Sequence, residues 1–302
     1  MMNKYIVSII LVTLFIIVIV FGKDYHNLNT IVSPVGVFID EIISNDVVLN
    51  DAQNVFSDSF EIEVDIHEAG KSHESESSNW WLSSGGIMEV KNGVAKTIHD
   101  NLNNENKWRG LYYKNNPRDT DNGFHPQNIF RLVTKGEWKN LTQQVIFSIS
   151  TDNLSESSYR NDSNGILFFN RYKDSNNLYY AGIRVDGFAV IKKKIEGTYF
   201  TLAYNQIYPG KYDREKNPNL LPHGQWIGLK SEVTDNGDDS VNIKLYIDRE
   251  RNGNWELIAE AVDEGRKYGG YPFFDTGHGG IRTDFMDVEF DDYSIREVNV
   301  AE

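Results

Sequence analysis

Apolar and polar positions alternate along most of the chain beyond residue 54. Met286, Val288 and Phe290 alternate with Phe285, Asp287 and Glu289, the period of two expected of a half-buried strand. Asp291-Asp292 interrupts that pattern before Tyr293, Ile295 and Val298 resume it. Phe60, Ile62, Val64 and Ile66 likewise alternate with Glu61, Glu63, Asp65 and His67, which predicts a strand over 60–66. Further strands are predicted at 87–90, 94–98, 129–133, 141–149, 166–172, 178–185, 188–195, 199–203, 226–233, 241–248 and 255–262. Asp186-Gly187 signals a tight hairpin, and Asn236-Gly237 a longer one. With short strands, polar turns, no helical period between them and no long internal repeat, the pattern predicts an all-β antiparallel sandwich.

One segment breaks the alternation altogether. Residues 6–21 are almost wholly Ile, Val, Leu and Phe, interrupted by Ser8 and Thr13. About 16–18 such residues just span a bilayer core. Lys4 on the amino-terminal side places the N-terminus inside and the remainder outside. The run therefore predicts a transmembrane anchor, or a signal segment cleaved after Gly22; its length favours the anchor. The chain divides into a membrane or signal segment (1–22), a stalk (23–53) and a sandwich domain (54–302). Localisation follows: the cell membrane with the domain facing outside, or secretion if Gly22 is a cleavage point.

The formal net charge of −14 argues against non-specific nucleic-acid binding. There is no cysteine, so disulfides, zinc-thiolate sites and a lipidated cysteine are excluded. Three Asn-x-Ser/Thr sequons, at Asn140, Asn153 and Asn161, are candidate glycan acceptors.

The closing stretch from Gly280 has the form Gly-x-Arg-x-Asp, then Val-x-Phe-Asp-Asp-Tyr-x-Ile. With Val55-Phe56-Ser57-Asp58-Ser59-Phe60 at the start, it resembles the concanavalin A-like lectin and glucanase superfamily, including laminin-G-like and 3-keto-disaccharide hydrolase-like modules. The resemblance implies a two-sheet antiparallel jelly roll that meets a polysaccharide or glycoconjugate on the outer face of one sheet. Ala181, Ile183 and Val185 read as inward, which turns Tyr180 and Arg184 outward. Arg131, Arg171, Tyr172 and Lys192 lie on neighbouring predicted strands. Together they form a candidate carbohydrate site, with the cations suited to an anionic, uronate-like glycan. The same cations also fit ordinary cross-strand ion pairs. The resemblance further implies a structural calcium joining the first and closing strands, with Asp58 and Asp292 at the matching positions. The segment from Asp248 to Gly253 is read as a hairpin turn despite a superficial likeness to an EF-hand loop.

Enzymatic readings are alternatives on the same scaffold. Glu63-Val64-Asp65-Ile66-His67-Glu68 resembles the Glu-x-Asp-x-x-Glu signature of glycoside hydrolase family 16, whose carboxylates perform retaining hydrolysis. Strict alternation puts Glu68 on the opposite face from Glu63 unless a bulge intervenes. Tyr199-Phe200-Thr201-Leu202-Ala203-Tyr204-Asn205-Gln206 resembles a strand of alginate-type lyases. In that reading His125, Gln127 and Arg131 supply the base and the carboxylate-neutralising groups. A structural envelope or adhesion role without a glycan ligand is a third class.

Overall fold

A computed structural model of the protein describes residues 54–299. The predicted anchor and stalk lie outside these residues. Among those described, no helix is long and apolar enough to cross a membrane. Among the described residues, sixteen strands form two antiparallel sheets. In chain order they are β1 (Val55–Asp58), β2 (Val64–His67), β3 (Trp80–Ser84), β4 (Ile87–Lys91), β5 (Val94–Thr97), β6 (Ile129–Thr134), β7 (Leu141–Asp152) and β8 (Gly165–Asp174). There follow β9 (Asn177–Arg184), β10 (Phe188–Ile195), β11 (Thr198–Gln206), β12 (Ile227–Asp235), β13 (Val241–Asp248), β14 (Glu256–Asp263), β15 (His278–Asp284) and β16 (Met286–Glu297). One sheet runs β14-β13-β12-β7-β16-β5-β4-β2, with β1 also on β16; the other runs β11-β10-β9-β8-β15-β6-β3. The predicted two-sheet sandwich is thus the observed architecture.

The core lies where the alternation puts it. Phe147, Leu229, Leu245 and Phe290 of the nine-stranded sheet face Phe130, Phe168, Tyr179 and Ile281 of the seven-stranded one in a single buried cluster. Asp186-Gly187 closes the β9–β10 hairpin with a bond from the Gly187 N–H to the Arg184 carbonyl. The closing segment divides between the sheets. Phe285 stands at φ 56° between β15 and β16, and that single residue turns the chain from the seven-stranded sheet into the nine-stranded one. Asp291-Asp292 does interrupt β16, with a register shift between Asp291 and Ser294 and Asp292 at φ 48°.

Three expectations change. The strand predicted over 60–66 is a turn followed by β2: Phe60 is buried at φ 54°, whereas Ile62 is 82% exposed. The positive φ ends extended pairing at Phe60, so alternation across it carried no common face. Strand β3 was not predicted, and neither was the helix Lys107–Asn115 (α1). This helix is capped by the Asn106 side chain accepting from the Trp108 N–H. It is largely polar, and its packing on the sandwich through Trp108 and Tyr112 leaves little helical period to read.

Arg171 is the third. Register on β8 slips after Asn170, and Arg171 adopts φ 47° in that irregularity. The bulge turns a side chain expected on the outer face into the interior, where it has no exposed surface. Its Nε donates to the Lys139 carbonyl at 2.6 Å, and its Nη1 lies 2.7 Å from Asp235 Oδ1. Arg171 therefore ties together chain crossings at one end of the sandwich.

A second buried ion pair joins the two sheets. Lys193 of β10 and Asp263 of β14 are both fully buried, with Nζ to Oδ2 at 2.9 Å. The pair is completed by hydrogen bonds. Tyr179 donates to Asp263 Oδ2 at 2.6 Å, the Gly265 N–H donates to Oδ1, and Lys193 donates to the carbonyls of Gly270 and Tyr271. Burial, with Asp263 beside it, keeps the Tyr179 phenol protonated far above its usual range. Breaking such a pair leaves an uncompensated buried charge, at a cost of about 3–5 kcal/mol. Asp263→Ala is therefore expected to lower the denaturant midpoint of unfolding sharply, while Lys193→Met combined with Asp263→Leu loses much less. Equal losses in the two variants, measured by chemical denaturation, would contradict this account.

Candidate functional site

The outer face of the seven-stranded sheet is itself partly buried. Leu167, Phe169, Tyr172, Leu178, Tyr180 and Val190 form a second apolar cluster there, with Trp81 packed against it. At one end of that face lies a cavity of about 550 Å³, lined by Arg131, Tyr180, Lys192, Tyr199, Arg282 and Asp284 among others. This volume falls within the range typical of small-molecule and saccharide pockets.

Sheet register builds the floor. Arg131 of β6 pairs with Arg282 of β15, which pairs with Leu167 of β8. Tyr180 of β9 pairs with Lys192 of β10, and Tyr199 comes from β11. Two loops build a wall. Ser157 and Ser155 donate to Asp119 and Asp121 at 2.7 and 2.5 Å, stitching segment 116–124 to segment 153–164. Arg160, itself buried, holds the second segment through the Ser155 carbonyl, the Arg214 carbonyl and Glu215. Tyr159 stands at the cavity edge, 65% exposed.

The electrostatics centre on one carboxylate between two guanidinium groups. Asp284 takes Arg131 Nη2 on Oδ1 and Arg282 Nε on Oδ2, each at 2.8 Å. Burial pushes the Asp284 carboxyl up, but the two arginines outweigh burial and leave it below the usual carboxylate value. Arg131 is further fixed by donating Nη1 to the carbonyls of Phe130 and Thr283. Arg282 is held through Nε, which leaves its two-pronged end beside the aromatic pair; its Cζ is 5.3 Å from the Tyr180 ring centroid. Tyr180 and Tyr199 stack at 5.9 Å, and the ammonium groups of Lys192 and Lys194 stand 5.8 and 4.8 Å from the Tyr199 ring.

The two tyrosines titrate differently. Burial pushes Tyr180 up to about 12. Burial also pushes Tyr199 up, but Arg282 and Lys194 more than offset it, leaving this phenol below its ordinary value. Lys192 is drawn below the usual lysine value by burial first and by Arg184 next. Three cations thus face a cavity containing two carboxylates, Asp119 and Asp284, the second already bound to two of those cations. The arrangement offers planar hydrogen-bond donors and aromatic faces to a polar, negatively charged ligand.

Of the residues singled out from sequence, Arg131, Tyr180 and Lys192 meet in this cavity. Arg184 points from the same face but is engaged by Asp186 at 2.7 Å and Asp162 at 3.2 Å, and lies over the Tyr204 ring. Tyr172 belongs to the apolar cluster, packed on Phe169 at 5.1 Å, and does not line the cavity. Arg171 is interior, for the reason given above. Arg282 and Asp284 were not singled out, although both lie within the Gly-x-Arg-x-Asp motif and share its alternation. Tyr199 entered only through the lyase resemblance.

The other residues proposed for chemistry are engaged elsewhere. Glu63 and Asp65 are exposed on the edge of the nine-stranded sheet. Glu68 Oε2 accepts from the Gly86 N–H and the Tyr112 hydroxyl, and burial raises its pKa despite them. Gln127 is buried and donates to Asp287, and His125 pairs with Asp121 at 2.8 Å. Asn153 is buried and also donates to Asp287, so a glycan at that sequon is incompatible with the folded domain. Asn140 Oδ1 accepts from Arg171 and from the Asp235 N–H, and Asn161 lines the cavity. Asp58 and Asp292 do line one recess, but as a calcium pair they fit poorly. Asp58 accepts from Phe60 N–H and Trp80 Nε1, and Asp292 is bound by the guanidinium of Arg251 at 2.8 Å. Among the described residues, no group of three or more metal-ligating side chains occurs.

No family model matches the chain, and no curated protein sequence matches it. Its fold is similar to a carbohydrate-binding module from Bacillus subtilis, at 14% identity over 72% of this chain and 94% of that one, with a TM-score of 0.43. It is similar to a β-1,3-1,4-glucanase (lichenase) from a mouse hindgut metagenome, at 10% identity over 80% of this chain and 98% of that one, TM-score 0.42. A GH43 protein from Bacillus licheniformis is also similar, at 13% identity over 80% of this chain and 39% of that one, TM-score 0.41.

Proposed function

We propose that the protein binds an acidic glycan in the cavity on its seven-stranded sheet, in an exported domain tethered by residues 6–21. The observation that carries this reading is Arg282. Asp284 engages only its Nε, so the Nη fork turns toward the stacked Tyr180–Tyr199 pair, where a carboxylate would join the Tyr199 hydroxyl as its partner. A uronate residue would place its carboxylate on Arg282 and Lys192 and a ring face on Tyr199. The tether rests on the length and purity of the apolar run and on Lys4 before it. Calcium is not part of this reading, because Arg251 already bridges to Asp292.

A glycan-degrading activity in the same cavity is the second reading, and the depressed Tyr199 phenol beside Arg282 is what favours it. β-Elimination from a uronate needs a base near a neutralised carboxylate, and Tyr199 and Arg282 are adjacent groups of those kinds. Hydrolysis is less well served, since Glu63, Asp65 and Glu68 lie away from the cavity.

Titration of the full-length chain with oligogalacturonate and oligoguluronate, with product analysis, tests both readings. Binding is expected to weaken as salt rises. Arg282→Met is expected to weaken it about 10–150-fold, the loss of a charge-assisted hydrogen bond of about 1.5–3 kcal/mol. Unchanged affinity in that variant removes the site. Unsaturated products from the unaltered chain, lost in Tyr199→Phe, would identify a lyase rather than a binding module.

The pH dependence has a defined sign. Because the Lys192 pKa is lowered, its charge is lost earlier on the alkaline side than that of an ordinary lysine, near 10.4. Affinity for an acidic oligosaccharide is therefore expected to decline as pH rises below that value, and Lys192→Met should flatten this limb. An unaltered profile in the variant would assign the titration elsewhere.

Tethering makes its own prediction. The full-length chain should remain with membranes through alkaline carbonate washing and be released by detergent. A shorter form accumulating in the medium would instead show cleavage near Gly22.

A further inference from the structure

The opposite face of the sandwich carries a second recess, of about 580 Å³, that the reading above does not use. Its floor is a polar row across adjacent strands of the nine-stranded sheet: Gln144 of β7 pairs with Ser294 of β16, and Ser294 with Ser57 of β1. Lys230 of β12 pairs with Gln144 just beyond the recess. Gln143 beside this row points inward to Asn170 and Tyr293, so alternation sends the Gln144 amide outward. Among the described residues the side chains of Gln144, Ser57 and Ser294 make no hydrogen bond within the protein, so their donors and acceptors remain open to a ligand.

Trp255 stands at the side of this row. It lies across Gly228, where an added Cβ would come within 2.9 Å of the indole, so the glycine lets the ring settle close to the sheet. The Lys230 ammonium is 4.9 Å from the indole centroid. Around the recess, carboxylates are held in fixed positions. Asp248 accepts from the Gly253 N–H at 2.7 Å, Asp58 accepts from Trp80 Nε1 at 2.8 Å, and Asp292 is bound to Arg251. Three carboxylates face one arginine in this recess, the reverse of the balance in the cavity across the sandwich.

We propose that this recess is a second saccharide site, for a neutral glycan, which makes the domain bivalent for two chemically different carbohydrates. An aromatic face fits the apolar face of a pyranose ring, while an amide, hydroxyls and preset carboxylates fit ring hydroxyl groups, which both donate and accept. The negative lining disfavours a uronate. Asp58 and Asp292 thus act as hydroxyl acceptors for sugar, with Arg251 as the resident cation.

Tryptophan fluorescence separates the two sites, because Trp255 lines this recess and no tryptophan lines the first cavity. The full-length chain, in a sugar-free detergent, is titrated with cellohexaose, xylohexaose, mannohexaose and maltohexaose. At least one is expected to change the emission saturably, unaffected by Arg282→Met. Trp255→Ala should abolish that signal, and calorimetry should show affinity reduced about tenfold or more. Gln144→Ala, whose side chain makes no hydrogen bond among the described residues, should weaken binding without changing the melting midpoint. No saturable response to any of the four sugars overturns the proposal, as does a response that survives both recess variants. Calcium raising the melting midpoint while all four sugars fail to bind would make the recess a cation site instead. Loss of acidic-glycan binding in Arg282→Met bears only on the first cavity.

Discussion

The Lys193–Asp263 pair sets the phase on which the cationic cavity depends. Three consecutive lysines on β10 have to be distributed between the two faces of a sheet whose side chains alternate. Fixing Lys193 inside, on Asp263 and Tyr179, sends Lys192 and Lys194 outward to Tyr199. A slip of one residue would place two lysines in the core with a single acidic partner and remove both from the cavity. The ion pair also anchors the segment after β14, through the carbonyls of Gly270 and Tyr271. One buried contact thus links inter-sheet packing, strand register and surface charge.

Elsewhere the interior is polar in a regulated way. Gln143, Asn170, Ser231 and Tyr293 form a hydrogen-bonded group between the sheets, with distances of 2.7–2.9 Å. Such groups are costly to bury unless satisfied, and here each bond joins different strands, although Asn170 Nδ2 has no partner within the protein. With no cysteine, this network, the Arg171 crossing and the Lys193 pair are among the specific tertiary links that complement apolar packing. Asp284, itself buried, plays the comparable part beneath the cavity. By accepting from Arg131 and Arg282 at once, it holds two like charges together on neighbouring strands and fixes the direction of each.

The two faces of the sandwich differ because of what alternation leaves over. On the seven-stranded sheet the outward positions are largely apolar or cationic, which yields a partly covered, positively lined cavity. On the nine-stranded sheet, Gln144, Ser57 and Ser294 lie beside Trp255 and three aspartates, which yields an open and acidic recess. The overall charge of −14 therefore misdescribes the cavity, and a ligand would meet local fields of opposite sign on the two faces.

Much of the fold was legible because alternation and turn chemistry are local. Most strands from β4 to β16, the Asp186-Gly187 hairpin and the outward direction of Tyr180 and Arg184 were read from residues close in sequence. Failures occurred where a backbone dihedral or a distant partner decided. The positive φ of Phe60 ended an apparent strand, and a bulge turned Arg171 inward. Local pattern also could not decide which face of β10 was buried, because the partner of Lys193 is Asp263, 70 positions away. The sequence by itself determined a β-sandwich with cations on neighbouring strands. Only tertiary structure decided which of them converge, since Arg131, Tyr180, Lys192, Tyr199 and Arg282 come from five strands, and their meeting depends on sheet order and register.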